Sequence, residues 1–169
     1  ELWAAIRRFH AENRLPLPAI DATLTARRIL RTMVEQYRMI GTEVFLEEAR
    51  PAPVTVTLSV QARRGYFRSE LRQALAAVFS ADQGGFFEPG NLDFGAALYA
   101  SDIIAAAMAV EGVAVACLNL LRRTQRGAED RTADGFIAIA EDEYIQCAND
   151  RAHPERGTFR ITVNGGEAG

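Results

Sequence analysis

The chain has 169 residues, which is enough for one domain with a helical extension and for a sizeable buried core. Its hydrophobic share of 49% and charged share of 24% are typical of a globular protein. The net charge of -3 argues against a general affinity for nucleic acid or anionic membranes. Two cysteines do not make a disulfide framework, and Cys117 lies in an apolar run that predicts a small buried side chain.

The N-terminal part of the chain is predicted to be helical. Residues 1–13 place apolar side chains at helical spacing, and the prolines that follow break this helix. Asp21 is placed to cap a second helix, in which an apolar stripe runs from Leu24 to Tyr37. Gly41 tolerates the left-handed conformation of a C-terminal cap, so we expect the second helix to end there.

The way in which the chain begins bears on its division into domains. It starts at Glu1, directly in a helical pattern and without a methionine. We therefore interpret residues 1–40 as a helical segment that links to an absent upstream region. Residues 41–169 are predicted to form an α+β domain.

The first strand of this domain is predicted from strict alternation. In residues 54–60, valine and leucine alternate with threonine and serine, which indicates a strand with one buried side and one wet or partner-facing side. Pro51 and Pro53 cannot donate to a sheet, so they predict a bulge, a bend or an edge just before it. Residues 67–79 then carry an apolar stripe at helical spacing, which begins at Phe67.

Residues 80–95 form an irregular stretch that is rich in glycine and aromatic residues. Phe86, Phe87 and Phe94 lie among turn-forming residues, although a solvated loop seldom carries so many aromatic rings. We weigh two interpretations. The loop folds back over its own core, which is the commoner case, or its rings contact another chain.

The C-terminal half is predicted to contain one more helix and two strands. Ser101 is a natural cap for the helix, and Gly112 ends it. Residues 113–121 indicate a buried strand, and residues 158–163 alternate as a last strand. Interleaved elements with alternating strands predict an α+β fold, in which helices pack on one face of a mostly antiparallel sheet, with an N-terminal helical extension.

Few residues in the sequence could carry catalysis. Cys147 has His153 six positions on, but nearness in sequence does not supply the geometry that a cysteine–histidine pair needs. The acidic run at residues 141–143 is typical of a solvated face rather than of an acid–base pair. The spacings of metal sites and phosphate-binding loops are missing from the sequence. We therefore predict no catalytic residue, no cofactor and no metal.

An ordered set of segments resembles a known family. The set comprises YRMIG, VTVTLSV, GYFRSEL, GFFEPGNLDFG, LYASDIIAAAMAVEGV and CANDRAHPERG, and its most distinctive block runs from Phe87 to Ile103. It resembles the C-terminal part of the baseplate assembly proteins, the baseplate J-like wedge family of contractile phage tails and contractile injection systems. The resemblance covers most of residues 37–166, although QCAND departs from the pattern usual in the family.

The resemblance implies a structural subunit that is not an enzyme. It implies assembly in the bacterial cytoplasm with copies of itself, with a second baseplate wedge protein, and with hub and sheath proteins, into the ring around the hub. Neither nucleic acid nor membrane is an implied partner. The candidate interface or structural-loop residues under this resemblance are Phe86, Phe87, Phe94, Tyr99, Asn149, Asp150 and Arg156.

Two other functions stay open. A small α+β ligand- or nucleic-acid-binding module would use the half-polar sheet and the arginine pairs, such as Arg63-Arg64 and Arg122-Arg123. A cysteine-dependent hydrolase would rest on Cys147 and His153 alone.

Overall fold

A computed structural model describes residues 2–17 and 25–168 of the chain. The chain divides into two compact units, Glu1–Glu48 and Ala49–Gly169. The first unit contains helices α1 (Leu2–Glu12) and α2 (Ala26–Tyr37).

Helix α2 is shorter than the sequence predicts at its C-terminal end. Arg38 already has extended backbone angles, so the helix ends at Tyr37 rather than at Gly41. Gly41 does take a positive φ of 91°, but in the turn that follows the helix. The N-cap is Thr25, and its side chain makes no capping hydrogen bond. The predicted cap at Asp21 lies outside the described residues.

The second unit is built around one long strand, β1 (Arg50–Phe67). The elements that follow it in the chain are α3 (Arg68–Val78), β2 (Leu98–Tyr99), α4 (Ala100–Met108), β3 (Val113–Arg123), β4 (Phe136–Ile137), β5 (Glu143–Gln146), a 3-10 turn (Pro154–Arg156) and β6 (Thr158–Glu167).

The main sheet is mixed, whereas the sequence analysis predicted a mostly antiparallel one. Strand β3 pairs with β1 antiparallel, from Val54 to Ala62. Strand β6 pairs with β1 in parallel over almost the same residues, so β3 and β6 must lie on opposite edges of β1. Strand β5 is also parallel to β1, at Arg50–Pro53. The residues of a strand do not encode the direction of its partner, because both directions bury the same alternating side chains.

Two prolines lie inside β1, although the sequence analysis placed an interruption there. Pro51 and Pro53 belong to the part of β1 that pairs with β5, before the β3 register begins at Val54. The amide of Arg50 donates to the carbonyl oxygen of Asp142, on the β5 side. Successive backbone amides of a strand point to opposite edges, so the nitrogens of Pro51 and Pro53 point to the edge of β1 away from β5. The pairing with β3 at that edge begins only at Val54, so the missing N–H groups of the two prolines break no hydrogen bond between β1 and β3.

The α+β class is confirmed, with the helices of the second unit on one face of the sheet. The alternate β1 residues Val54, Val56, Leu58 and Val60 are all fully buried. Leu71 and Leu75 of α3 and Ile103 and Ala107 of α4 join them in a single core. Between them, Thr55, Thr57 and Ser59 are only partly covered. One face of the sheet therefore holds the core, and the other presents hydroxyl groups.

Five local predictions were wrong. Helix α4 ends at Met108 rather than at Gly112, and β3 is not a buried strand, because its residues between Val113 and Leu121 are partly or fully exposed. Phe67 is half-exposed rather than part of the α3 stripe, because it still belongs to β1. Ser101 does not cap α4, since the helix already begins at Ala100 with Tyr99 as N-cap. Cys117 is exposed, because it lies opposite Ser59 on the hydroxyl face of the sheet.

Gly157 provides a test of how tightly β1, β5 and β6 are joined. Its φ is 95°, and a Cβ there would lie 2.8 Å from Cys147 Cα and 2.9 Å from the Val54 carbonyl oxygen. We expect Gly157→Ala to lower the free energy of unfolding by about 3 kcal/mol, since left-handed strain and a clash with the backbone add.

The matched control is Gly127→Ala. Gly127 has a φ of 81° but open space around its Cβ position, so only the strain of about 1 kcal/mol applies. Urea denaturation of both variants measures the difference. Equal destabilisation by the two substitutions would contradict the close packing at Gly157.

Candidate functional site

The aromatic loop, residues 80–95, has one part inside the core. Phe87 is buried, and its ring centroid lies 5.0 Å from that of Phe86 and 5.7 Å from that of Phe159. Phe79 stacks on Phe159 with centroids 4.4 Å apart and also contacts Phe86 at 5.6 Å. Four rings, from the C-cap of α3, the loop and β6, thus form one cluster. For Phe86 and Phe87, the loop folds back over its own core.

Phe94 and Tyr99 are placed differently, on the outside of the same unit. Phe94 is 62% exposed, and its ring and that of Tyr144 are arranged edge to face with their centroids 6.0 Å apart. Tyr99 is 49% exposed and lies beside Phe136, also at 6.0 Å. Exposed aromatic pairs held against a folded core are typical of contact surfaces between proteins.

A cavity of about 400 Å³ opens next to Phe94. We call it the Phe94 cavity. The loop forms one wall of it and β5 the other, and its lining is mainly apolar. Asp93 supplies the only charged side chain among the described residues that line it. The lining includes Phe87, Leu92, Phe94, Tyr144, Ile145 and Cys147.

The exposed rim of the Phe94 cavity is held in place by β5. The amide of Gly95 donates to the carbonyl oxygen of Glu143 at 3.0 Å. Glu143 also accepts from Arg123 at 2.6 Å and from the amide of Ala140 at 2.8 Å. The hydrogen bond from Arg123 has the largest effect on the pKa of Glu143 and that from the Ala140 amide the second largest. Together they lower this pKa to about 2.

The acidic run is therefore not simply a solvated face, as the sequence analysis interpreted it. Asp142 accepts two hydrogen bonds from the Arg50 guanidinium, at 2.5 and 2.7 Å. Glu143 joins β5 to Arg123 at the end of β3, and its side chain is only 13% exposed. Glu141 alone is exposed without an ion pair among the described residues.

Asn149, Asp150 and Arg156 have structural positions in the turn between β5 and β6. Asn149 has a φ of 50°, and its side-chain oxygen accepts from the amide of Phe159 at 3.1 Å. Asp150 accepts from the amide of Ala152 at 2.8 Å, which closes the turn. The carbonyl oxygen of Arg156 accepts from the amide of Ala148 at 3.0 Å, and the Arg156 side chain is exposed. All three residues are exposed, but the side-chain oxygens of Asn149 and Asp150 are bound to backbone amides of the turn and of β6.

Cys147 and His153 do not form a nucleophile and base. Burial raises the pKa of the Cys147 thiol to about 12, so the thiol stays protonated at neutral pH. His153 is half-exposed, and its Nδ1 lies 3.0 Å from Glu155 Oε1. A reactive cysteine needs a lowered pKa and access to solvent, and Cys147 has neither.

Sequence reasoning missed Tyr144 and the wall that β5 contributes to the Phe94 cavity. The signal was present as an alternation, in which Ile145 and Cys147 are buried while Tyr144 and Gln146 are partly exposed. It was too short to stand out, since β5 has only four residues.

The first unit carries a second apolar surface, which we call the α2 groove. No residue of α2 is buried, although the helix is strongly amphipathic in sequence. Its apolar side chains form one wall of an open groove of about 600 Å³. The groove is lined by residues that include Phe9, Leu30, Met33, Val34, Tyr37 and Val44.

The described residues contain neither a metal-binding cluster nor a helix that could span a membrane. Over residues 2–17 and 25–168, no cluster of histidine, cysteine, aspartate and glutamate has the grouping needed to hold a metal ion. No helix in this part of the chain has the length and apolar character needed to cross a membrane.

Comparison with known proteins does not assign a family to the chain. No protein-family model matches it, and no curated protein is significantly similar to it. The resemblance to the baseplate J-like wedge family therefore stays a prediction.

The Arg123–Glu143 pair predicts a pH-dependent contribution to stability. Because the pKa of Glu143 falls from 4.5 to about 2 on folding, its contribution is complete above pH 4.5 and is lost as the pH falls towards 2. We expect Glu143→Gln to destabilise the chain by about 1–2 kcal/mol at pH 7. The difference from the parent should vanish near pH 2.

Urea denaturation at a series of pH values measures this difference. Glu141→Gln is the control, because the exposed Glu141 has no ion pair among the described residues. We expect it to change stability by less than about 0.5 kcal/mol throughout. A Glu143→Gln effect that is independent of pH would contradict the ion pair.

The two cysteines should differ in reactivity. We expect one thiol of the native chain, Cys117, to react rapidly with a disulfide reagent, because it is exposed on the sheet. Cys147 should react only after unfolding, since burial protects it and keeps it protonated. Cys117→Ala should remove the rapid phase and Cys147→Ala should keep it. A rapid phase in native Cys117→Ala would reopen the hydrolase hypothesis.

Proposed function

We propose that the chain is a structural subunit of a baseplate wedge in a contractile tail or contractile injection system. It assembles by protein–protein contacts into the ring around the hub, and it is not an enzyme. Its partners are copies of itself, a second wedge protein, and hub and sheath proteins, and assembly takes place in the bacterial cytoplasm. One observation carries the assembly role: large apolar side chains lie on the outside of both folded units.

Some of the exposed apolar residues lie in groups, and these groups support assembly. In the second unit, Phe94 borders the Phe94 cavity and Tyr99 lies beside Phe136 as a separate exposed pair, and in the first unit the groups are the α2 groove and the segment after it. Met39, Ile40 and Phe45 in that segment are largely exposed as well. Isolated apolar residues on a surface are ordinary, but grouped ones indicate a contact surface.

The block from Phe87 to Ile103, which carries the resemblance, supports the same role. It starts in the aromatic cluster, passes through the exposed Phe94 and Tyr99, and ends in the core at Ile103. Tyr99 follows the buried Leu98, and Phe94 precedes Gly95, whose amide donates to the carbonyl oxygen of Glu143. A surface of this kind is held in shape before a partner arrives, which reduces the entropy lost on binding.

Deleting the gene in its host tests the proposal. We expect the sheath and tube proteins to be expressed while no complete particles form, because the ring that joins them is missing. Electron microscopy of lysates and immunoblots of sheath and tube measure the two parts of this result. Reintroducing the intact gene on a plasmid is the control and should restore particles.

A tag on the restored protein extends the test. Gold label against the tag should lie at the baseplate end of the sheath. Complete particles in the deletion strain, or label that is absent from particles, would overturn the baseplate assignment.

The Phe94 cavity also supports a second candidate function, a ligand-binding module. Its volume of about 400 Å³ and its apolar lining are in the range of small-molecule sites. A thermal-shift screen with small apolar and aromatic compounds tests it. A shift that Phe94→Ala abolishes would favour this function, and the absence of any shift would remove it.

A further inference from the structure

Strand β3 forms one edge of the main sheet and leaves that edge unpaired. It pairs with β1 on one side, and no strand of residues 2–17 and 25–168 pairs with its other side. The loop after β3 covers only the end of this edge, where the amide of Arg131 donates to the carbonyl oxygen of Leu121 at 2.7 Å. From residue 114 to residue 120, the only backbone hydrogen bonds within the described part of the chain are those to β1.

The hydrogen bonds to β1 show which residues of β3 face the unpaired edge. The amide of Arg63 donates to the carbonyl oxygen of Gly112 at 2.8 Å, so Arg63 faces β3. Backbone groups alternate along a strand, so the residues two and four positions earlier in β1 face β3 as well, and their partners there are Val115 and Cys117. The residues of β3 that alternate with these two turn their amide and carbonyl groups to the unpaired edge. They are Ala116 and Leu118.

Two features that usually keep an edge strand from pairing are missing from β3. Residues 113–121 contain neither a charged residue nor a proline. Shifts in the register with β1 at either end limit the regular stretch to Val115–Leu118 but do not cover it. The stretch therefore offers its backbone donors and acceptors to another strand.

Helix α4 adds an apolar surface at the same edge. It packs on β3, whereas α3 packs on β6 and β1, so α4 is the helix next to the unpaired edge. Residues 103–110, which begin in this helix, are all apolar, but only Ile103 and Ala107 among them are buried. Ile104 and Met108 lie one turn apart outside the core, and Met108 is 42% exposed. A helix that is apolar on all sides is normally covered on all sides.

We propose that two copies of the chain pair through the unpaired edges of β3, around a two-fold axis perpendicular to the sheet. The strands are antiparallel, with Cys117 of one copy opposite Cys117 of the second copy. The amide and carbonyl groups of Ala116 bond to those of Leu118 in the second copy, and the same bonds form in the other direction. The two α4 helices lie side by side on one face, so that Ile104 and Met108 of each copy are covered.

The strand and the helix together select a second copy as the occupant. Exposed amides and carbonyls in a row are matched by an extended strand, and the exposed side of α4 needs an apolar surface above that strand. Another copy supplies β3 and α4 in this same relation, and the two-fold axis keeps both helices on one face. Residues 113–121 are uncharged, so the pairing brings no like charges opposite each other. A single extended peptide would match the strand but leave the helix exposed.

This contact has a definite stoichiometry. A two-fold contact uses the same surface of both copies, so it closes at the dimer. The sheet becomes continuous from β6 of one copy to β6 of the other, because β1 and β3 lie between them. The inference deepens the proposed function, on which it rests for its biological setting, because it names a surface through which subunits of the ring pair.

Disulfide trapping tests the register in the chain of 169 residues. A directly opposed pair of this kind has Cα atoms about 4.5 Å apart, which is within the range of a disulfide. Cys117 is exposed, whereas Cys147 is buried. Diamide, which takes up the two electrons and two protons of a pair of thiols, should therefore link the parent through Cys117 as a dimer on non-reducing gels.

The matched control is Val115→Cys combined with Cys117→Ala. Val115 is 50% exposed and lies on the same face of β3 as Cys117. The proposed register places the Cα atoms of the two 115 positions about 13 Å apart, which is too far for a disulfide. Diamide should leave this variant unlinked, although light scattering should show the same dimer as for the parent.

Two single substitutions should prevent the pairing without a change in the fold. Ala116→Pro removes an amide that points to the unpaired edge and donates no hydrogen bond to β1. Met108→Glu places two carboxylates between the paired α4 helices. Light scattering after size-exclusion chromatography should show dimers for the parent and monomers for both variants, each with the far-UV circular dichroism of the parent. Met39→Glu, the same change at a methionine that is 74% exposed in the first unit, should leave the dimer intact.

Several results would overturn the proposal. They are a parent chain that stays monomeric up to roughly 1 mM, equal cross-linking of the parent and the Val115→Cys variant, and dimers in Ala116→Pro and Met108→Glu alike. The deletion experiment is independent of these results. Dimers through β3 together with normal particles in the deletion strain would keep the interface and reject the baseplate role, whereas a monomeric chain together with missing particles would do the reverse.

Discussion

The structure of the second unit depends on the alternation of side chains along β1. Every second residue from Val54 to Val60 is fully buried, and the residues between them carry hydroxyl groups. Because β1 is paired on both edges, by β3 and β6, this one strand fixes which face of both neighbours is apolar. Helices α3 and α4 then cover the apolar face. A shift of one residue would turn the whole core outward, so the register of β1 is the main constraint on the fold.

Local patterns were sufficient to predict the helices, the first strand and the α+β class. Apolar side chains recur every second residue in residues 54–60 and at helical spacing in α3, as at Leu71 and Leu75, so both patterns are visible in the sequence. The mixed sheet was not predictable in this way. Strand β5 lies beside β1 through contacts such as Arg50 with Asp142, which are 92 residues apart. Pairing between two segments so far apart in the chain produces no periodic pattern in the sequence of either segment.

The same limit applies to the candidate site. The sequence identified the aromatic loop but could not separate Phe86 and Phe87, which are covered, from Phe94, which is exposed. The separation depends on Phe79 and Phe159, which lie in α3's C-cap and in β6 and supply the rings against which Phe87 packs. Cys117 was misassigned for a related reason. Its surroundings are apolar in sequence, but its position opposite Ser59 places it on the hydroxyl face.

The buried half of the loop determines what its exposed half can do. Phe94 follows residues anchored in the aromatic cluster and precedes Gly95, whose amide is bound to Glu143. Glu143 is in turn held by Arg123 at the end of β3. The backbone directly after Phe94 is thus bound to the main sheet, although the ring itself faces outward. Ordering a flexible loop on binding would lose conformational entropy worth roughly 1–2 kcal/mol for each residue. This loop is already ordered in the folded chain, so binding does not add that loss. An exposed ring on a rigid base is therefore a better contact residue than the same ring on a free loop.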